Sequence, residues 1–454
     1  MTNTGQRIER LFDSHSFVEL YPEQRAGYVV GHGLVGGRKI YVCATNTEHP
    51  TWTLLATLVK EIVFLEYLRE HPAPVVFIID TQKFSSTSVG KSPVPADADE
   101  LQTGPNCVGR AFYLQARLQR QIPMLGILCA EVAASLSFPL TLCDAVVMVD
   151  GSAMCIGRPD VVKLMVGEDA SIEELGGASM HCAVSGLGHM YASSEEAAID
   201  WTQRYLSCFP DQAEAPLPLL IVQEPAFSEV PLEQIVPKDC LSSFKMLCLI
   251  ESVIDRGTLV EIKKMFAQSA ITALARIEGR VCGLVANDPA HFGGILFPDA
   301  CRKMIEFIRL CDAYGIPLVF LVDTPGFMVG KASEEAGSIK AGSDLFAAIA
   351  QCRTKRLCLV VRKAYSAGFY AMGGAGFSPA KLLALPTASI TIYGRKALEL
   401  LAADGQLTEE GRYGLEQMLK DVENPWRLES RGLIDRVIDW QAIRPELAAF
   451  LRGN

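Results

Sequence analysis

Two segments of this sequence could do chemistry with little help from side chains: residues 318–327, LVFLVDTPGF, and residues 362–374, RKAYSAGFYAMGG. Each joins a short apolar run to an abrupt turn containing Gly with Pro or Ala. A buried parallel strand reads as such a run, and where it ends its backbone N–H groups are released. Two strand ends side by side can aim those donors at one oxygen that gains negative charge during reaction. That is a site for thioester chemistry made from main chain. The small residues of Tyr365-Ser366-Ala367-Gly368-Phe369 let an acyl group approach the backbone. A helix expected from about Gly368 onward aims its N-terminal dipole at the same point. Both turns also have a plainer reading. Asp323-Thr324-Pro325-Gly326-Phe327 serves equally as a strand breaker, and small residues in the second turn suit close helix–sheet packing. Residues 328–339, MVGKASEEAGSI, form a long loop after a sheet's C-terminal edge, where α/β proteins place ligands.

Other candidates are weaker. The seven His lack metal-ligand spacing, so no metal is expected; His181 and His189, in GGASMHCAVSGLGH, read as hydrogen-bonding loop residues. Ser85, Ser86 and Ser88 lie in a Ser-rich loop without a G-x-S-x-G elbow. GLVGG at 33–37 is a hairpin-like turn with no phosphate-loop Lys after it, and no G-x-G-x-x-G opens a helix. The 14 Cys sit in apolar runs without a C-x-x-C pair, as buried small hydrophobes do.

The elements that must position the two turns alternate. Strand-like runs at 74–80, 123–130 and 145–150 enclose a helical stretch at 106–119. Runs at 280–286, 317–323, 357–361 and 389–393 enclose helical stretches at 299–314 and 340–352. Such alternation argues an α/β fold with crossovers in place of hairpins. A Pro-rich stretch, 209–237, separates the halves, giving domains at 1–222 and 223–454. The halves echo each other: IPMLGILCAEVAASLS is answered by RLCLVVRKAYSAGFYAMG, and CIGRPDVVKLM by IYGRKALELL, which suggests a duplicated domain. Of the 454 residues 49% are hydrophobic and 21% charged, a composition that suits a large core. The net charge of −10 without a basic stripe argues against nucleic acid. The polar opening MTNTGQRIERLFD has no apolar h-region, and no run is long enough to span a bilayer, so a cytoplasmic protein is expected.

In order along the chain, several segments resemble the carboxyltransferase (β) subunit of biotin-dependent acyl-CoA carboxylases, of the propionyl-CoA and acetyl-CoA type. They are RIERLFDSHSFVEL, GRPDVVKLMVGEDASIEELGGASMHCAVSGLGH, IEGRVCGLVANDP, FIRLCDAYGIPLVFLVDTPGF, RKAYSAGFYAMGG and ENPWRLESRGLIDRVID. The resemblance implies two crotonase-like ββα superhelix domains in tandem and a homo-oligomer, from a dimer to a trimer of dimers. It places the active site where the first domain of one subunit meets the second domain of a partner. It implies a backbone hole in the second domain for the acyl-CoA carbonyl as its enolate forms. By position Ala367 and Gly368 would donate there, with Gly326 and Phe327 on the neighbouring turn. Ser366, Phe369, Tyr370 and Met328 would line the acyl pocket, or pack in the core. A hole near Ala134 and Ser135 would hold the ureido oxygen of carboxybiotin, whose nitrogen takes the α-proton, so no side-chain base is required. Lys331, Lys340, Arg362 and Lys363 could meet phosphates or be solvated.

The first half departs from the family at its own hole. Thr81-Gln82-Lys83-Phe84-Ser85 stands where Ser-Gly-Gly-Ala-Arg is usual, and Ala134-Ser135 where a Gly-Gly pair is usual. The second half reads Ser366-Ala367 where Gly-Gly is common. No Met-Lys-Met biotinylation motif or biotin-carboxylase segment is present, so no cofactor is bound covalently and carboxybiotin would arrive in trans, on a carrier or biotin carboxylase subunit. Three readings follow: such a carboxyltransferase; a biotin-independent decarboxylase or acyl or carboxyl transferase acting on malonyl-type thioesters of CoA or a carrier protein in a specialised pathway; or a non-catalytic partner of an active paralogue.

Overall fold

Two units, Met1–Pro216 and Leu217–Asn454, divide the chain in the computed structural model, which describes residues 4–24, 26–46, 54–80, 97–133, 137–226, 231–403, 408–421 and 424–453. The first unit contributes β1 (Val18–Leu20), β2 (Tyr28–Val35), β3 (Arg38–Thr45), β4 (Val75–Ile79), β5 (Met124–Leu128), β6 (Glu131–Ala133), β7 (Ala145–Val149), β8 (Ala153–Cys155) and β9 (Met190–Ala192). Seven form one sheet in the order β1-β2-β3-β4-β5-β7-β9, and β6 pairs with β8. The second unit contributes β10 (Val260–Ile262), β11 (Ala270–Ile277), β12 (Arg280–Asn287), β13 (Leu318–Thr324), β14 (Arg356–Tyr365), β15 (Lys381–Ala384), β16 (Ser389–Thr391) and β17 (Arg436–Val437). Their order is β10-β11-β12-β13-β14-β15-β17, with β16 beside the end of β14.

Each sheet begins antiparallel and continues parallel, so the expectation of crossovers without hairpins holds only for the later strands. The hairpins come from two-residue turns with both φ values positive, the geometry that matches strand twist. Gly36 and Gly37 (φ +56° and +78°) join β2 to β3, and Glu278 and Gly279 (φ +49° and +75°) join β11 to β12.

The internal duplication extends to register. The first residue of β1 faces the fifth of β2 (Val18 opposite His32), as Val260 of β10 faces Leu274 of β11. Val75 of β4 faces Tyr41, the fourth residue of β3, as Leu318 of β13 faces Gly283, the fourth of β12. The short β6–β8 pair, Glu131 opposite Ala153, repeats in Lys363 opposite Ser389. A slip of one residue would turn every side chain to the other face, so matched registers mark one architecture used twice. Side chains repeat with it. Lys60, buried, donates to the Gln24 carbonyl at 3.1 Å; Lys303, buried, donates to those of Phe266 and Ala270 at 2.8 and 2.7 Å. Each lysine pins the connection between its unit's first two strands. Burial pulls the Lys303 ammonium down to about 7.

In the second unit the helices Pro298–Ala313 and Ser338–Gln351 pack on each other, and the closing helix Ile443–Arg452 packs on β11 and β12. The parallel strands β13 and β14 are apolar over most of their length, and nearly all of their residues are buried. None of the 14 cysteines is in a disulfide.

Candidate active site

The central strands of the second unit, β13 and β14, run parallel and end at the two turns. Their register is regular from Leu318 opposite Arg356 to Val322 opposite Val360, then shifts, so that Thr324 faces Ala364. Three residues of β14, 361–363, therefore stand against Asp323 alone. The strand was expected to stop at Val361; it continues to Tyr365 because the charge of Arg362 is neutralised inside the sheet. Asp323 and Arg362 are both fully buried and meet at 2.8 Å. The Asp323 carboxylate also accepts the Lys363 N–H at 3.2 Å and lies 3.3 Å from the Lys363 ammonium. The Asp323 N–H donates to Asn287 Oδ1 at 3.2 Å. Arg362 Nη1 donates to the carbonyls of Asp239 and Ser242, both at 2.8 Å, and its guanidinium lies 4.7 Å from the Phe244 ring centre. Neither Arg362 nor Lys363 is therefore available to a phosphate, while Lys331 and Lys340 are exposed and paired with Glu335 and Asp344.

The turns come together where both are glycine. A Cβ built on Gly368 would lie 2.6 Å from the Gly326 Cα, 3.1 Å from its nitrogen and 3.2 Å from Thr324 Cγ2. Gly326 itself adopts φ +119°, a conformation that only glycine holds without strain. Its N–H donates to Thr324 Oγ1 at 3.1 Å. Gly326 is therefore not a free donor; its part is conformational, and the hydroxyl of Thr324 holds it. The carbonyl of Gly326 accepts the Leu296 N–H, and the Met328 N–H returns to the Leu296 carbonyl, each at 3.0 Å. Between them the Phe327 N–H meets no acceptor among the described residues.

The second turn leads into the helix Ser366–Ala371, which starts two residues earlier than expected and has only six residues. Its dipole is correspondingly small, and the donors that matter are individual amides. Ala367 and Gly368 occupy its second and third positions, whose N–H groups have no acceptor in the helix, and neither makes another hydrogen bond to a described residue. Ser366, at φ +50°, is an exposed non-glycine residue in the left-handed region. Free amides at Phe327, Ala367 and Gly368 thus flank one contact between two strand ends.

Of the residues expected to line a pocket, Met328 (38% exposed) and Tyr370 (45%) are open to solvent, with Ile392 and Tyr393 exposed just beyond β16. Phe369 is not: it is 7% exposed, and its ring fills the space where a Cβ on Gly374 would sit, 2.4 Å away, so it belongs to the packing. The Phe327 ring packs on Gly342 and edge-on to Phe346, which anchors the first turn to the helix Ser338–Gln351.

In the first unit, Ala134 and Ser135 lie outside the described residues, as do Thr81 to Ser85. In sequence they follow Ala133 of β6 as Ser366 and Ala367 follow Tyr365 of β14. His181 bonds the Met154 carbonyl (2.6 Å) and Ser185 Oγ (2.8 Å), and His189 Nδ1 accepts the Val146 N–H (3.1 Å); both are structural, as expected. Among the described residues, no cluster could hold a metal ion and no helix is long and apolar enough to cross a membrane.

Sequence reasoning missed the Asp323–Arg362–Lys363 network and the hold of Thr324 on Gly326. A signal existed: one acid and two bases stand at the ends of two otherwise apolar runs, LVFLVD and LCLVVRK.

A family model described as "Carboxyl transferase domain" matches residues 96–453. An uncharacterized carboxylase of Bacillus subtilis, YngE, is 38% identical over 437 residues, covering 94% of this chain and 84% of that one. The biotin-dependent acetyl-/propionyl-coenzyme A carboxylase beta5 subunit of Mycobacterium leprae is 30% identical, covering 98% and 85%. The solved transcarboxylase 12S subunit, with methylmalonyl-coenzyme A and methylmalonic acid bound, superposes with a TM-score of 0.88 at 27% identity, covering all of this chain and 89% of that one. The two units are thus tandem crotonase-like domains.

Proposed function

The chain belongs to the carboxyl transferase domain family, and on that premise we propose that the paired strand ends of its second unit form the oxyanion hole of an acyl-CoA carboxyltransferase. The activity is carboxyl transfer to the α-carbon of an acyl-CoA, as in biotin-dependent acyl-CoA carboxylases. The observation that carries the site is the contact of Gly368 with Gly326, flanked by the unbonded N–H groups of Phe327, Ala367 and Gly368.

Carboxyl transfer makes negative charge twice on a carbonyl-type oxygen: on the thioester as its enolate forms, and on the ureido group that gives up the carboxyl. Donors fixed by strand ends need no reorganisation when that charge appears. Amides also suit the purpose because they neither titrate nor compete for the α-proton. In this reading the hole takes the thioester oxygen. Ala367 and Gly368 donate from one side and Phe327 from the other, Gly326 and Thr324 hold the turn that carries Phe327, and Met328 and Tyr370 form the apolar rim. Biotin, carried on a separate subunit, supplies the carboxyl group and the basic nitrogen. The enzyme works as a homo-oligomer.

The test is label transfer. Purified protein, given a carboxyl-labelled biotinylated carrier and a panel of acyl-CoA thioesters, moves label to at least one acyl-CoA, and Ala367→Val abolishes transfer in a folded protein. Enolate formation, read separately as α-proton exchange of the acyl-CoA, is lost with it. Full transfer by Ala367→Val removes this hole from the reaction. Carboxyl loss from a malonyl-type thioester without biotin would instead select a decarboxylase.

A further inference from the structure

We infer that Asp323 is the positioning residue of the hole, and that its buried carboxylate sets the strand bulge that brings Ala367 and Gly368 over Gly326. This deepens the oxyanion-hole reading and rests on it.

A carboxylate and a guanidinium without exposure lose their hydration, and an apolar pair of similar volume usually gives at least as stable a fold. The neighbouring strand positions, Leu321, Val322, Val360 and Val361, are all apolar and buried. The sheet therefore does not need this pair in order to hold together. The carboxylate does one thing that an apolar side chain cannot. Where the register shifts between Val322 and Thr324, the Lys363 N–H donates to a side chain, Asp323 Oδ1, at 3.2 Å. A buried amide needs an acceptor, and here the side chain supplies it.

The shift itself has a geometric result. β14 advances two residues relative to β13, from Val360 opposite Val322 to Ala364 opposite Thr324. That advance carries Ser366, Ala367 and Gly368 forward onto Gly326. Bulges re-aim strand ends in this way beside active sites. Both ends of the device are anchored. Arg362 binds Asp323 on one side and the Asp239 and Ser242 carbonyls on the other, while Thr324, next in sequence to Asp323, holds the Gly326 N–H.

The duplicated unit keeps the acid. Asp80, like Asp323, follows the fifth residue of its strand, counted from matched first positions Val75 and Leu318. It too is buried and paired with an arginine, but with Arg7 from the helix Thr4–Leu11, at 2.7 Å. The aspartate stays in place while the arginine comes from a different element.

Two double variants separate the acceptor from the charges. Asp323→Asn with Arg362→Met keeps an oxygen for the Lys363 N–H, and Asp323→Leu with Arg362→Met removes it. Asp323 and Arg362 lose their charges together, and Lys363 loses its carboxylate partner alike in both doubles, so that loss cancels in the comparison. With both proteins folded, the Leu double loses about 10²-fold in kcat, the penalty for an ångström-scale misplacement. Its KM for acyl-CoA moves by less than about threefold, because contacts outside the hole are untouched. The Asn double restores most of kcat. Equal kcat in the two doubles, whether both are high or both low, overturns the inference. Should the Leu double not fold, Asp323→Ala with Arg362→Met makes the same comparison. Failure of the underlying reading looks different: Ala367→Val would then keep full turnover whatever the Asp323 variants do.

Discussion

Gly368→Ala is the smallest side-chain change that probes the hole. The added methyl would stand 2.6 Å from the Gly326 Cα, and ordinary contact begins at 3.4 Å. The two turns must part by about 0.8 Å to admit it. The obstacle is main chain, so no rotamer change relieves it. Thr324 Cγ2, at 3.2 Å, closes a second direction. Donors that straddle the contact then move apart by nearly an ångström, and displacement on that scale costs about 10²-fold in rate. We expect kcat for carboxyl transfer to fall by about that factor while the far-ultraviolet circular dichroism and oligomeric state stay unchanged. Gly414→Ala is the control: that glycine meets nothing within 4 Å, so the methyl costs no packing. Steady-state kinetics of both variants with one acyl-CoA and a carboxylated carrier decide the matter. A folded Gly368→Ala enzyme with kcat within twofold of the parent would refute the reasoning.

Two further outcomes follow from single residues. Ser366 sits at φ +50° with its side chain exposed, and such a residue in the left-handed region costs about 1 kcal/mol; Ser366→Gly should raise the thermal midpoint, and a lowered midpoint would argue that no strain is stored there. Glu61 is buried in the helix Leu54–Glu70, and burial lifts its carboxyl from 4.5 to about 7. The folded state holds that proton more tightly than the unfolded chain, so stability is complete below pH 4.5 and falls as pH rises towards 7. Ionising the group in place costs on the order of 3 kcal/mol. Glu61→Gln should flatten this slope in melting curves between pH 5 and about 8, and an unchanged slope would assign it to other groups.

The strands that carry the site were legible because a buried parallel strand leaves an uninterrupted apolar run, as in LVFLVD and LCLVV. Gly326 and Gly368 were legible as turn residues, but their contact was not: it depends on a register shift between strands about forty residues apart in sequence, and no local pattern records register. The same distance hid the partnership of Asp323 with Arg362, and it allowed the second strand to be ended at Val361 when its charge is neutralised in place. The part that Gly326 plays on its turn was not legible either, because sequence cannot show that the neighbouring hydroxyl, Thr324, already holds its N–H. Phe369 was left open between pocket wall and core, and it fills the space over Gly374. The echo between the halves was visible in two pairs of segments; the structure extends it to strand order, strand register and the paired buried lysines.

Main-chain donors escape ordinary mutagenesis, yet an amide can be replaced by an ester. Installing glycolic acid in place of Gly368 exchanges one N–H for oxygen and adds no side-chain atom. The helix loses nothing by it, since the third position has no acceptor inside the helix. If this N–H holds the reacting oxygen, kcat for carboxyl transfer falls by about 10²–10³ in a protein that is otherwise intact. An ester-substituted enzyme that transfers label at the parental rate would contradict the account.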